Sequence, residues 1–331
     1  MAYTTIDDPS GIFTANLYSG NATNGTTIST GHTNDLIWTK GRAGTYGGRG
    51  LRIIDSVRGA TKVLYGDQDL AEGTNNSSSG VTGFASTSYT IGGDADFNGS
   101  GTTYVSWTWK IQAGVCDIQT YTGNGSARTI SHNLGVVPKM MIIKKRNTAA
   151  PWSVGHASLG ANQVLELNET DAVATDATYW NNTRPTSSVF TVGTDGNQNT
   201  NTHTYLIYLF GNKQGVSRMG KYIGNGNADG TFVYTGFKPA FVMQKSTTTT
   251  YGWQIYDNKR GGFNPENDEL VANLDSAETD GSGNGFPDFY SNGFKLRNTD
   301  INKNASGVTY IYMAFAENPF VTSTGVPAMA R

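Results

Sequence analysis

Thr309-Tyr310-Ile311-Tyr312-Met313-Ala314-Phe315 is dominated by β-branched and aromatic residues and reads as a strand. Two further stretches match it, Thr103-Tyr104-Val105-Ser106-Trp107-Thr108-Trp109 and Thr204-Tyr205-Leu206-Ile207-Tyr208-Leu209-Phe210. Working outward from each, the same marks recur in the same order. Tyr-x-Gly-Asn stands at Tyr18-Gly20-Asn21, Tyr121-Gly123-Asn124 and Tyr222-Gly224-Asn225, spaced by 103 and 101 residues. Apolar stretches at Leu36-Ile37-Trp38, Met140-Met141-Ile142-Ile143 and Ala240-Phe241-Val242-Met243 run into Lys40, Lys144 and Lys245. Three marks in register define an internal repeat.

The copies span 17–110, 120–211 and 221–318, with polar, glycine-containing joints at Ile111–Gln119 and Asn212–Gly220. Residues 1–16 form an N-terminal docking segment and 319–331 a C-terminal tail. Within a copy, Tyr89-Thr90-Ile91, Phe190-Thr191-Val192 and Phe294-Lys295-Leu296 alternate in the strand period, and Asn124-Gly125, Asp229-Gly230 and Asn292-Gly293 mark turns. With 42 glycines and only 15% charged residues, against about 25% in ordinary chains, long helices are disfavoured. The expectation is an all-β protein, a tandem array of three homologous β-sandwich domains of Ig-like or jelly-roll type. A helical turn or two is expected at Leu270–Glu278.

A net charge of −2, with no basic run longer than Lys144-Lys145-Arg146, argues against nucleic acid as a partner. No apolar run approaches a membrane span, and Met1–Asp8 lacks the pattern of a signal peptide, so neither membrane insertion nor export by the general route is expected. Cys116 is the only cysteine, so packing and sheet hydrogen bonds must hold the fold.

Chemistry-bearing patterns are sparse. The four histidines, His32, His132, His156 and His203, recur at no common repeat position, and no nucleophile elbow or phosphate-binding loop is present. Glu166, Glu169, Asp171 and the acids of 266–280 leave glycan hydrolysis formally open, against a default of solvated acidic loops. Asp94-x-Asp96-x-Asn98-Gly99 matches the first half of a calcium loop, making Asp94, Asp96 and Asn98 speculative Ca²⁺ ligands. Its counterparts, Asp195-x-Asn197-x-Asn199 and Asp300-x-Asn302-x-Asn304, carry one carboxylate each, and an Asx-rich turn explains all three. No other cofactor is expected. Trp152 and Trp180 are candidate surface aromatics for stacking on sugars, whereas Trp107 and Trp109 read as core. Arg42, Arg58, Lys144–Arg146, Lys259 and Arg260 read as solvated strand ends or inter-domain contacts. The second copy replaces the Asp55-to-Arg58 and Asp257-to-Arg260 pattern with His156-Ala157-Ser158-Leu159, which suggests interface elements shared by copies one and three.

Six segments carry a resemblance: Met1–Ile6, Asp55–Lys62, His132–Met140, Gly236–Met243, Tyr256–Arg260 and Met313–Phe320. With them, nearly the whole chain resembles an uncharacterised family of repeated structural proteins of marine tailed phages, including cyanophages and pelagiphages, usually labelled tail-fibre-like. The resemblance implies a virion protein made in the host cytoplasm, with other virion proteins as partners and no catalytic residue. The expected role is a tail-associated fibre or adhesin, favoured as a trimer, contacting a host-surface glycan or outer-membrane protein. The alternatives are a capsid decoration or head-fibre protein and, as a minor one, a polysaccharide depolymerase.

Overall fold

The computed structural model describes residues 3–280 and 287–329. Each repeat builds the same antiparallel six-stranded sheet. In the first copy the order is Phe13–Ser19, Thr102–Trp109, Leu36–Gly44, Arg52–Asp55, Lys62–Tyr65, Gly73–Thr74. The second runs Cys116–Thr122, Thr204–Phe210, Met140–Lys145, Ser153–His156, Gln163–Glu166, Ala174–Thr175; the third runs Ser217–Ile223, Thr309–Pro319, Phe237–Ser246, Gln254–Asp257, Asp268–Val271, Thr279–Asp280. A smaller sheet covers one face of each, formed around Ser88–Ile91, Val189–Val192 and Gly293–Lys295. All-β character therefore holds, and each copy has two layers. The helical turns fall at Ala177–Trp180 and Gly196–Asn199, while Leu270–Glu278 carries the end of a strand and coil instead of helix.

The expectation of three separately packed domains is corrected by the core. Residues alternate across each closing strand with period two. Leu206, Tyr208 and Phe210 point to one cluster, and Tyr205, Ile207 and Leu209 to another under the small sheet. The first of these clusters is common property, because Val105, Trp107 and Trp109 and Ile311, Met313 and Phe315 also enter it. Trp109, Phe210 and Phe315 hold equivalent positions and meet pairwise, with ring centroids 6.2, 5.5 and 6.0 Å apart. The three sheets thus stand around one pseudo-threefold axis, inner faces together. The outer clusters remain private to each copy.

Buried lysines close the ring. Lys40 donates to the carbonyl of Leu274 in the third copy, Lys144 to Asp69 in the first at 2.7 Å, and Lys245 to Thr170 in the second at 3.1 Å. Burial pushes each of the three ammonium groups down to about 8, so all remain largely protonated at neutral pH with their donors in use.

Each copy's first strand begins four residues before the expected boundary, at Phe13, Cys116 and Ser217, because Tyr-x-Gly-Asn ends that strand instead of opening it. Residues 13–16 therefore belong to the first copy. Tyr3 and Thr4 are packed down: the Tyr3 hydroxyl donates to Gly236 O at 2.7 Å, and Thr4 Oγ1 to Gln214 O at 3.0 Å. Asp7 accepts from the Ser323 amide at 2.6 Å, tying the N- and C-terminal segments to each other.

Candidate functional site

The repeat signature proves to be a clasp. The Tyr18 and Tyr104 rings stack at 5.2 Å, Tyr121 and Tyr205 at 5.1 Å, and Tyr222 and Tyr310 at 5.0 Å. Glycine is required between Tyr and Asn, since a Cβ on Gly20 would lie 2.1 Å from Gly99 O, and Gly123 and Gly224 are equally confined. The last residue of each Asx motif completes it. Asn98 Oδ1 accepts the Asn21 amide at 3.0 Å while Nδ2 donates to Gly92 O and Thr23 O at 2.9 Å; Asn199 and Asn304 repeat this.

The speculative calcium ligands accordingly turn to different partners. Asp94 accepts the Gly80 and Asp96 amides at 2.6 and 3.0 Å, Asp96 faces Arg52 at 3.1 Å, and Asn98 is fully buried. Among the described residues no group of three His, Cys, Asp or Glu side chains is placed to hold a metal. The surface aromatics are also relocated. Trp152 is buried, its Nε1 donating to Tyr65 O of the first copy at 2.8 Å, and Trp180 is 3% exposed, its Nε1 donating to Gln163 O at 3.1 Å. Trp107 and Trp109 are core, as their strands implied.

Two seams carry buried ion clusters. Asp55 accepts from Arg58 at 2.6 Å and from the Tyr208 hydroxyl at 2.8 Å, and Glu72 joins Arg58 to Arg146 of the second copy. Asp257 likewise accepts from Arg260 at 2.6 Å and Trp107 Nε1 at 2.9 Å, and Glu278 joins Arg260 to Arg42 of the first copy. Both arginine side chains are fully buried. The acidic-basic loops are thus interface elements within the molecule. At the remaining seam His156, Leu159, Val173 and Thr247 stand in the equivalent places, where the ion pairs are gone and the backbone bond Val173 N to Thr247 O, 2.9 Å, is retained.

Of the acids suspected of hydrolysis, Glu166, Glu169 and Asp171 lie on the second copy and those of 266–280 on the third. The Glu166 carboxyl is raised by burial and then by the like charges of Glu169 and Asp171, and Glu169 is raised too. A cleft lies elsewhere on the second copy. It has a volume of about 200 Å³ and is lined by Met141, Gly155, Trp180, Pro185, Lys139 and Arg184 among others, with no carboxylate. Of its lining residues the sequence singled out Trp180 as a candidate for stacking, whereas Gly155 and Arg184 carried no signal. Three of the four histidines bond within their own copy: His32 on Thr33 O at 2.8 Å, His132 on Thr186 O at 3.2 Å, His203 on Asn147 at 3.0 Å.

A second surface feature emerges from superposing the repeats by strand register. Phe232 and Tyr234 occupy the positions of Thr27 and Ser29 in the first copy and Thr129 and Ser131 in the second. Ile223 replaces Ser19 and Thr122 on the neighbouring edge strand. All three are exposed, at 44, 51 and 57%, and Tyr3 of the N-terminal segment reaches Tyr234 at 3.2 Å.

A protein-family model described as "Domain of unknown function (DUF7483)" matches residues 8–319, from just before the first strand to the end of the last. Among curated proteins none matches the chain.

Proposed function

We propose that the chain, which belongs to the DUF7483 family, is a structural protein of a phage particle, most naturally a tail-associated fibre or adhesin that contributes to host-surface recognition. The observation that carries this reading is the contrast between a conserved frame and a varied surface. All three copies keep the tyrosine clasp and the seam lysines, whereas the third alone exposes Ile223, Phe232 and Tyr234 where its sisters have Ser and Thr. An apolar patch on one copy of a repeated body, beside both chain ends, suits attachment to a neighbouring virion protein or to further copies of itself. Packed N- and C-terminal segments on that copy would put the anchor there and leave the other two copies facing outward.

Immunogold labelling of intact particles with antibody to the purified protein tests the reading. Gold at the tail is the expected result, and unlabelled particles would overturn it. Gold over the head would favour capsid decoration, a reading to which the closed body without a stalk among the described residues lends itself. The mass in solution distinguishes trimer from monomer, and incubation with host capsule followed by an assay for new reducing ends tests the depolymerase alternative.

A further inference from the structure

We infer that the cleft of the second copy is a binding site for a carboxylated sugar ring of the uronic-acid class. The cleft exists because of a substitution that only the register exposes. Met141 pairs with Gly155, where the first copy pairs Ile37 with Ile54 and the third pairs Val242 with Tyr256. Ile54 and Tyr256 fill the outer clusters of their copies. At Gly155 Trp180 and Met141 take the place of that side chain, since a Cβ there would stand 2.9 Å from Trp180 Cζ2 and 3.1 Å from Met141 Cε, and the cleft opens beside them. The space left, about 200 Å³, suits one six-membered ring and little more.

Its chemistry is two-sided. Met141, Val137, Pro138, Pro185 and Trp180 give it apolar surface for the flat face of a ring. Lys139 and Arg184 sit at the same cleft with no carboxylate to neutralise them, and the Arg184 guanidinium is oriented by donation to the carbonyl of Leu159. The position of Lys139 is Asp35 in the first copy and Ala240 in the third, each next to the residue paired with Trp109 or Phe315. Two cations beside an apolar floor complement an anion carried on a ring, since a charge-assisted bond from guanidinium to carboxylate is among the strongest available. A neutral aromatic side chain from a partner protein would leave both cations unmatched. The carboxylated ring rests on the cleft alone; the choice of a sugar rests on the host-surface reading above.

The test is titration of the full chain with sodium glucuronate, followed by ligand-observed NMR and tryptophan fluorescence, with glucose and benzoate as comparators. Saturable binding of glucuronate is expected, with glucose weaker by roughly tenfold or more, the worth of one charge-assisted bond. Lys139→Gln with Arg184→Gln should abolish the preference while a cooperative melt shows that the variant is folded, though Arg184 gives up its bonds to Leu159 O and His156 O. Trp180→Phe should remove the fluorescence response without removing the NMR signal. No saturable glucuronate binding, equal affinity for glucose, or unchanged binding by the double variant would each overturn the site. Benzoate binding in place of glucuronate would overturn the sugar and show an aromatic-carboxylate site. Failure of the virion reading shows separately, as unlabelled particles with glucuronate binding intact.

Discussion

His156 Nε2 lies 3.3 Å from the carbonyl oxygen of Tyr312, across the seam between the second and third copies, while its Nδ1 accepts the Ser158 amide at 3.1 Å. That pairing fixes a neutral ring protonated on Nε2, since a proton on Nδ1 would meet the Ser158 N–H head-on. Burial accordingly pushes the imidazole down to about 4 from its ordinary 6.5. In this window the unfolded chain binds the proton and the folded chain does not, so stability rises with pH and is lost as pH falls from 6.5 toward 4. At about 1.4 kcal/mol per pH unit the loss amounts to roughly 3 kcal/mol. Urea midpoints measured from pH 7 to 4 should fall more steeply for the native chain than for His156→Gln, whose amide can still donate to Tyr312. Parallel curves would show that the histidine is not the acid-sensitive group.

The other two seams make a different prediction, because their charges are buried in pairs. Arg58→Leu alone strands the Asp55 carboxylate, whose side chain is fully buried, and should cost about 3–5 kcal/mol. Importing the whole arrangement of the third seam, Asp55→His, Arg58→Leu, Glu72→Val and Arg146→Thr, with Tyr208→Met to match Met313, removes both partners of every pair. Replacing a buried ion cluster with packed apolar groups is often close to neutral, so the five-fold variant should recover most of the loss. Denaturant unfolding of the two variants checks it, and a five-fold variant less stable than Arg58→Leu would refute the equivalence of the seams.

Much of this organisation was legible in single residues. Tyr18, Gly20 and Asn21 announced the copies because each answers a local demand: a ring to stack, a backbone too close for a Cβ, and an amide to bond Asn98. The shared axis was not legible. Tyr205 to Phe210 is apolar on both faces, and such a strand looks the same between two layers of its own domain as between its own small sheet and two foreign copies. Trp152 was misread for a related reason: beside Pro151 and polar loops it looks exposed, but the carbonyl of Tyr65 that buries it lies 87 residues away in another copy. Gly155 looks merely permissive until Ile54 and Tyr256 are set opposite it by register.

The seam lysines extend the same logic to energetics. Lys144 donates to both Asp69 O and Ala150 O, one in each copy, from a fully buried position. Lys144→Met keeps the length of the side chain but takes the ammonium away from Ala150 O, while Asp69 O keeps the Ala150 amide, so one stranded acceptor should lower stability by about 1–3 kcal/mol. Lys245→Met should behave alike, since its ammonium donates to Thr170 O, Ser246 O and Thr249 O, of which Thr249 O keeps the Tyr251 amide. Thermal melts at pH 7 measure both, and a methionine variant as stable as the native chain would mean that the ammonium serves no seam.

The aromatic triad sets the scale of cooperativity. Phe210 belongs to the second copy by sequence, yet its ring packs between Trp109 of the first and Phe315 of the third. Phe210→Ala should therefore destabilise by about 3–5 kcal/mol, and it should do so for all three copies at once. If the copies were a string of independent domains, the lesion would lower one transition and leave two in place. With one core, calorimetry of the native chain should give a single transition, and Phe210→Ala should move it whole. An excised second copy, residues 112–216, would expose Leu206, Tyr208, Phe210, Ile142 and Trp152 to water. At about 1.5–3 kcal/mol for each large side chain left unburied, that fragment should show no cooperative melt, whereas a native-like transition from it would restore the string of domains.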